Sequence, residues 1–473
     1  MSGAEFRSIE AVSNQAGLST GEVLTGALEL YSRRFERFPR NTLPVLLLLA
    51  TLLGTLGPVA CARPYTSRTD SDYVPAPVIP AFSYNVPVED ADFHNPIVRV
   101  TPEDGRNYIA GLGGSGDAPQ TWNSNDTMLL VGDAGGGYAP IGFDPVNFKT
   151  TGPVGIKTGP GVFSHSQPNI FYAFAGSQVN VLDLARKTSK LLYDFHACGV
   201  GAVEWRSIGG SDTTDRVFAA AFSAGVQGTG YQVAVYNSVS GVCFLLDTRA
   251  GTVTQYPGAT RIGTVSIPDR FLVHNVKIKG PSEMVVVEQA CVSNCTSKQP
   301  FSWVIGTTRM FALGQPQGSG HWAEGCTHFI NAPGNPTHYA VKRPLTDPTA
   351  WVDVWAMPKD QCGAAPLPAC ALPVDAHPAW VGGCDDKGMV FMATTKHNDI
   401  IDRPYEDEII GFSTDGSNRV YRFAHTYSSF LAGGFYAQNS IGAPSPDGRF
   451  YAWTTKAGGQ FAGTSAVLVV KMR

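Results

Sequence analysis

Along most of this chain, apolar and polar positions alternate with a period of two, in short runs divided by turn-forming residues. That is the pattern of β-strands joined by tight turns. The clearest instance is residues 441–456, IGAPSPDGRFYAWTTK. Ser445-Pro446-Asp447-Gly448 supplies the turn: Pro presets φ, Asp caps its own backbone and Gly takes the left-handed position. Phe450, Ala452 and Thr454 then alternate with Tyr451, Trp453 and Thr455, which predicts a strand. Degraded copies of this strand–turn–strand unit recur from Asp92 onward at about 40–70-residue spacing, the range of propeller blades carrying loop insertions.

Seven such units are legible. The first runs from TWNSNDT (121–127) into MLLV (128–131), with an outer part over 139–148. The others cover 163–184, 203–248, 271–288, 326–355, 377–413 and 441–472. Residues 94–101, HNPIVRVT, form a strand left over at the front. It is expected to close the ring by pairing with the last blade, removing an exposed sheet edge. The predicted fold is therefore all-β, a seven-bladed β-propeller over residues 92–473. The nearest competitor, a large β-sandwich or jelly roll, does not call for seven similarly ordered units.

The region before the propeller has a different pattern. Within 1–42, Ser19 and Glu22 fit a capping box, and Leu24, Leu28, Tyr31, Phe35 and Phe38 recur at helical spacing. Arg33, Arg34 and Arg37 lie off that stripe. This predicts a basic amphipathic helix at the cytoplasmic membrane surface, unless the true start lies downstream. Residues 43–62 form a signal peptide or transmembrane anchor, with the apolar run at 43–60. The arginines before it place the N-terminus in the cytoplasm and everything after residue 62 outside, periplasmic or extracellular. Cleavage near Ala60-Cys61-Ala62, lipidation at Cys61 and retention as an anchor are three open fates. Residues 63–91, rich in Pro, Ser, Thr and Asp, read as an extended linker.

Composition supports the strand reading. Charged residues make up 16%, with 52 Gly and 33 Pro, a turn-rich balance. A net charge of −4 provides no basic surface, so nucleic acid is excluded as an expected partner. Eight of the nine cysteines lie beyond the apolar run, which suits disulfides in an oxidising compartment. Cys291 with Cys295 and Cys362 with Cys370 are spaced as local loop clips; buried thiols and zinc are the alternatives.

SPDGRFYAW resembles the repeat of TolB-type propellers. Histidines set close to predicted inner strands, in FSHSQPNIFYAF, FLVHNVKI, GHWAEGCTHFIN and AHPAW, resemble the oligogalacturonate-lyase propellers. That resemblance implies a manganese ion held by histidines and a glutamine from neighbouring blades. Here the metal ligands would be His165, His274, His328 and His377, with His321 and Glu324, in the loop before His328, and Trp322 and His425 near a ligand, and Gln167 or Glu324 adding oxygen. A metal there could acidify a sugar proton beside a uronate carboxylate, and Lys277, Lys279 or Arg403 could hold that carboxylate. The alternative is that the histidines anchor blades by hydrogen-bonding neighbouring backbone.

Other motifs decide little. Residues 111–116 match G-x-G-x-x-G but run into Asp117-Ala118-Pro119, where a dinucleotide site needs a helix. No G-x-S-x-G, H-E-x-x-H or phosphate-binding loop occurs. Trp122, Trp205, Trp322 and Trp380 fit sugar stacking or inter-blade core, and core is the commoner use. Two functions therefore stand: an exported propeller binding a protein or polysaccharide as a scaffold, and a metal-dependent polysaccharide lyase.

Overall fold

The computed structural model describes residues 65–473 except 76, 112–120, 134–136, 201–203, 206–208, 224–229, 267–270, 279, 281–282, 290–299, 314–320, 333–339, 348, 356–377, 382–387, 395–403, 429–439 and 458–463. The chain divides into two compact units, Met1–Cys61 and Ala62–Arg473. The helix and apolar segment expected within 1–62, like both expected cysteine clips, fall outside the described residues.

The second unit is a seven-bladed β-propeller of antiparallel sheets. Blade 1 runs from Tyr108–Ala110 to Lys149–Pro153, and blade 2 from Gly161–Phe163 to Thr188–Asp194. In blade 3 two short pieces, Glu204–Trp205 and Gly210–Ser211, both pair with Val217–Ser223. Blade 3 also gains a hairpin, Thr252–Tyr256 and Thr260–Thr264, on its outer edge. Blade 4 spans Val273–Lys277 to Met310–Ala312, blade 5 His321–Glu324 to Val352–Trp355, and blade 6 Ala379–Trp380 to Val420–His425.

Blade 7 closes the ring as the leading strand predicts. Gly442–Pro444, Phe450–Thr455 and Ala466–Lys471 come from the C-terminus. Pro96–Arg99 then pairs Ile97 with Val470 and Val98 with Val469, and Val88–Glu89 adds a fifth strand. The free edge of the last blade is thereby covered by the start of the domain.

The period of two now has a spatial meaning. Phe450–Thr455 is buried throughout, because both faces of a blade pack against other blades. Phe450 and Ala452 join Leu129, Val131 and Phe143 between blades 7 and 1. Tyr451 and Trp453 join Phe391, Ile409 and Phe423 between blades 7 and 6. Each fully buried side chain of this size contributes about 1.5–3 kcal/mol. Trp122 belongs to the first seam: it is 2% exposed, stacks on Phe450 and donates from Nε1 to the Ala443 carbonyl (3.2 Å). Core is its role.

The SPDG turn also recurs. Ser445, Asn123 and Asp212 each receive on their carbonyl the amide of the residue three positions on, Gly448, Asp126 and Asp215. Those third residues all have positive φ, 72°, 61° and 57°. The side chain of the leading residue then caps the returning strand, Asn123 Oδ1 accepting from Met128 N (2.9 Å) and Asp212 Oδ1 from Val217 N (3.0 Å).

The segment read as a linker is extended from residue 65 but not free. Tyr65 donates to the Gly448 carbonyl (2.9 Å) and meets Phe391, Tyr421 and Phe423 edge-on. Arg68 makes an antiparallel bridge with Arg422, and Val74 and Phe82 are buried. Its prolines keep it from joining a sheet over any length, yet its aromatic and basic side chains find partners on blades 6 and 7.

Candidate functional site

The first turn of each blade, between its first and second strands, is where the sequence concentrates polar residues. Among the described residues, such groups reach across to a neighbouring blade at the seams 7–1, 1–2 and 2–3. Arg449 donates to Asp126 Oδ2 (3.0 Å), linking blade 7 to blade 1. Asn123 Nδ2 donates to the Pro168 carbonyl (2.9 Å), linking blade 1 to blade 2. Asp215 of blade 3 accepts from the hydroxyls of Ser164 and Ser166 (2.7 Å each) and from the amide of His165 (3.1 Å) in blade 2. Between blades 4 and 5 the backbones close in: a Cβ on Gly280 would lie 2.7 Å from the Cys326 carbonyl oxygen.

His165 takes part in this ring of ties. Its Nε2 donates to the Ser211 carbonyl of blade 3 at 3.3 Å, the neighbouring-backbone use the sequence allows. His328 opens the second strand of blade 5 and pairs Nδ1 with Thr327 Oγ1 (2.8 Å). His274 lies within the first strand of blade 4, and His377 lies outside the described residues. The histidines thus occupy different strand positions in their blades. Of the ligands implied for manganese, His165 has its Nε2 taken up by the Ser211 carbonyl.

His321 and Glu324, expected in a loop, instead bound the first strand of blade 5, together with Trp322. The return to His328 is tight, with the Gly325 amide donating to the His328 carbonyl (2.9 Å), so HWAE is drawn into a hairpin. Glu324 is 8% exposed, and Glu288 of blade 4 is 4% exposed. Both carboxylates act on Lys277 at the end of blade 4's first strand. Burial pushes the Lys277 ammonium down to about 8, against the upward pull of Glu288 and Glu324. Beside His165, residues Ser166, Gln167, Asn169, Asp183 and Arg186 border an open groove of about 390 Å³.

A second cluster lies on the outer rim, where the last strand of blade 6 meets the segment that completes blade 7. Asp90, Asp92 and His425 place one ligating atom each within 4.8 Å of one another. Asp90 is fully buried. Its Oδ1 accepts from the amides of Asp92 and Phe93 (3.1 Å each), and its Oδ2 from the His425 amide (2.8 Å) and the Tyr427 hydroxyl (2.9 Å). His425 Nδ1 lies 3.3 Å from both oxygens. Burial raises the Asp90 pKa, but the hydrogen bond with the His425 ring and those from the amides outweigh it, holding it below the usual carboxylate value. Burial and the Asp90 charge together push the Tyr427 hydroxyl up.

His425 was legible as a candidate in the sequence, but its carboxylate partners were not. DADF reads locally as an Asx turn, and nothing in it points to a histidine 335 residues away. Next to this cluster, Arg422 is fully buried and donates to both oxygens of Glu408 and to Asp70 Oδ1 (3.0 Å). Its guanidinium sits 5.3 Å from the ring centres of both Phe93 and Tyr405.

No protein-family model matches the chain, and no curated protein matches its sequence. Among solved structures, an oligogalacturonate lyase from Vibrio parahaemolyticus is similar at 12% identity and a TM-score of 0.45, covering 85% of this chain and 98% of that one. The WD40 repeats of RRP9 match at 11% identity and a TM-score of 0.46, covering 82% of this chain and 100% of that one. A gluconolactonase from Xanthomonas campestris matches at 8% identity and a TM-score of 0.34, covering 88% and 99%. At such values these likenesses carry no argument about chemistry. The fold rests on the strand pairing itself.

Proposed function

We propose that this chain is an exported β-propeller acting as a binding and scaffolding module at the cell envelope, for a protein or polysaccharide ligand. The observation that carries this reading is the use made of the first-turn polar groups. They tie blade to blade, and His165, one of the four candidate metal ligands, is one of the ties. Such a ring stiffens one end of the propeller and leaves the loops beyond it to carry recognition. Export is supported by a disulfide, Cys198–Cys243, which fastens the turn after blade 2 to blade 3, and by Cys326, which is also disulfide-bonded. In this reading residues 43–60 direct export or hold the protein at the membrane, with residues 1–42 on the cytoplasmic side.

One observation favours the other reading, a polyuronate lyase. Lys277, with its pKa near 8, holds an appreciable neutral fraction at neutral pH, as a general base requires. Its amine would take the proton α to a uronate carboxylate; the electron pair would form the double bond as the β-glycosidic oxygen leaves. The test is incubation with oligogalacturonides, following the ultraviolet absorbance of the unsaturated product. The module reading expects no product. Product that disappears in Lys277→Met would put the lyase in its place.

A further inference from the structure

We propose that His425 Nε2 and Asp92 hold a divalent transition-metal ion of the zinc class at the rim between blades 6 and 7, with Asp90 as the positioning residue. The tautomer of His425 decides which ring nitrogen can bind. Asp90 is a buried carboxylate, and His425 Nδ1 lies 3.3 Å from both of its oxygens. A neutral ring in that place carries its proton on Nδ1, which leaves the lone pair on Nε2. Carboxylate–imidazole pairs of this kind orient metal-binding histidines and raise their basicity.

The Nε2 atom is buried and has no hydrogen-bond partner, on a histidine that is 1% exposed. Asp92 Oδ2 lies 3.7 Å from it. Two electron-rich atoms turned toward each other repel unless a positive charge lies between them. The separation is too long for a hydrogen bond, but it suits two ligands of one ion at about 2.0–2.2 Å each. The side chain of Asp92 is 36% exposed, so an ion can enter past it and keep water in its remaining positions.

The charge balance points the same way. Arg422, a buried cation beside the cluster, is engaged by Glu408 and Asp70, and the Phe93 ring lies against both Arg422 and the His425 ring. Asp90 and Asp92 are therefore left with His425. One imidazole and one carboxylate favour zinc and its neighbours over magnesium or calcium, which prefer all-oxygen sites. The ion would pin residues 90–92, just before the ring-closing strand Pro96–Arg99, to the last strand of blade 6. It would make closure of the ring metal-dependent.

The test uses the full chain, stripped with a chelator and then titrated with zinc chloride, with magnesium chloride as the control. Bound zinc is counted by equilibrium dialysis, and the thermal unfolding midpoint is followed in parallel. The expected result is one additional equivalent of zinc relative to Asp92→Asn, and a midpoint that rises with zinc but not with magnesium. Asp92 is partly exposed, so that variant is expected to fold. Asp90→Asn, which keeps the side chain's shape, should weaken zinc binding by about 10–100-fold, the usual effect of removing an orienting carboxylate. Zinc uptake and midpoint that are the same in wild type and Asp92→Asn would overturn the proposal, as would a midpoint indifferent to zinc.

Discussion

Asp126 shows how a single turn residue can govern behaviour across the ring. It is 2% exposed, and it faces Arg449 and the carboxylate of Asp447. Burial first, and then the Asp447 carboxylate, raise its pKa from 3.8 to about 7. The folded state therefore holds a proton that the unfolded chain releases above 3.8. For such a group, stability is greatest below the unfolded pKa and falls as pH rises through the folded one, at no more than about 1.4 kcal/mol per pH unit. Asp447 is shifted downward, so its contribution is lost only in acid, below this window. Asp126→Asn should accordingly flatten the decline in urea-unfolding stability between about pH 4 and about pH 7. An unchanged pH profile would remove Asp126 from this role. In the sequence, Asp126 was readable as a turn residue; its partner Arg449 was not, because the two are 323 residues apart.

At the scale of strands and turns, the sequence was most legible where pattern is local. The SPDG hairpin, the seven repeats and the strand at 94–101 all follow from alternation and turn chemistry. The histidines did not follow in the same way. Alternation identifies a strand without numbering it within its blade, so nothing distinguished His274, on the first strand of blade 4, from His328, on the strand after the first in blade 5. The loop assigned to His321 and Glu324 failed for a related reason, since a four-residue strand is too short to display its period. Long-range covalent links were also hidden. Cys198–Cys243 spans 45 residues and ties a buried turn to blade 3, whereas spacing alone drew attention to local pairs. Replacing both by serine should lower stability by about 2–5 kcal/mol, the usual effect of removing a native disulfide from a small domain. Matched denaturation of wild type and the double variant, both without reductant, would measure it. A difference near zero would show that packing alone holds the seam.

The second unit is a ring whose seams are apolar between the sheets and polar at several first turns. Closure depends on Pro96–Arg99 pairing with Ala466–Lys471, and the segment leading into it is fixed to blade 6 through Asp90, Arg68 and Tyr65. Two of the candidates read from the sequence, His165 and Glu324, have described surroundings that differ. His165 joins blades, while Lys277, Glu288 and Glu324 face one another across blades 4 and 5. The proposed scaffold requires the first-turn ties to be structural, and Asp215 is a heavily used acceptor among the described residues. It takes hydrogen bonds from Ser164, His165, Ser166 and Ser211. The most direct measurement is the urea-unfolding free energy of Asp215→Ala against wild type. A loss of at least about 1.5–3 kcal/mol, the worth of one hydrogen bond to a charged group, is predicted. Unchanged stability would contradict a structural ring and return His165 and its neighbours to the search for a ligand site.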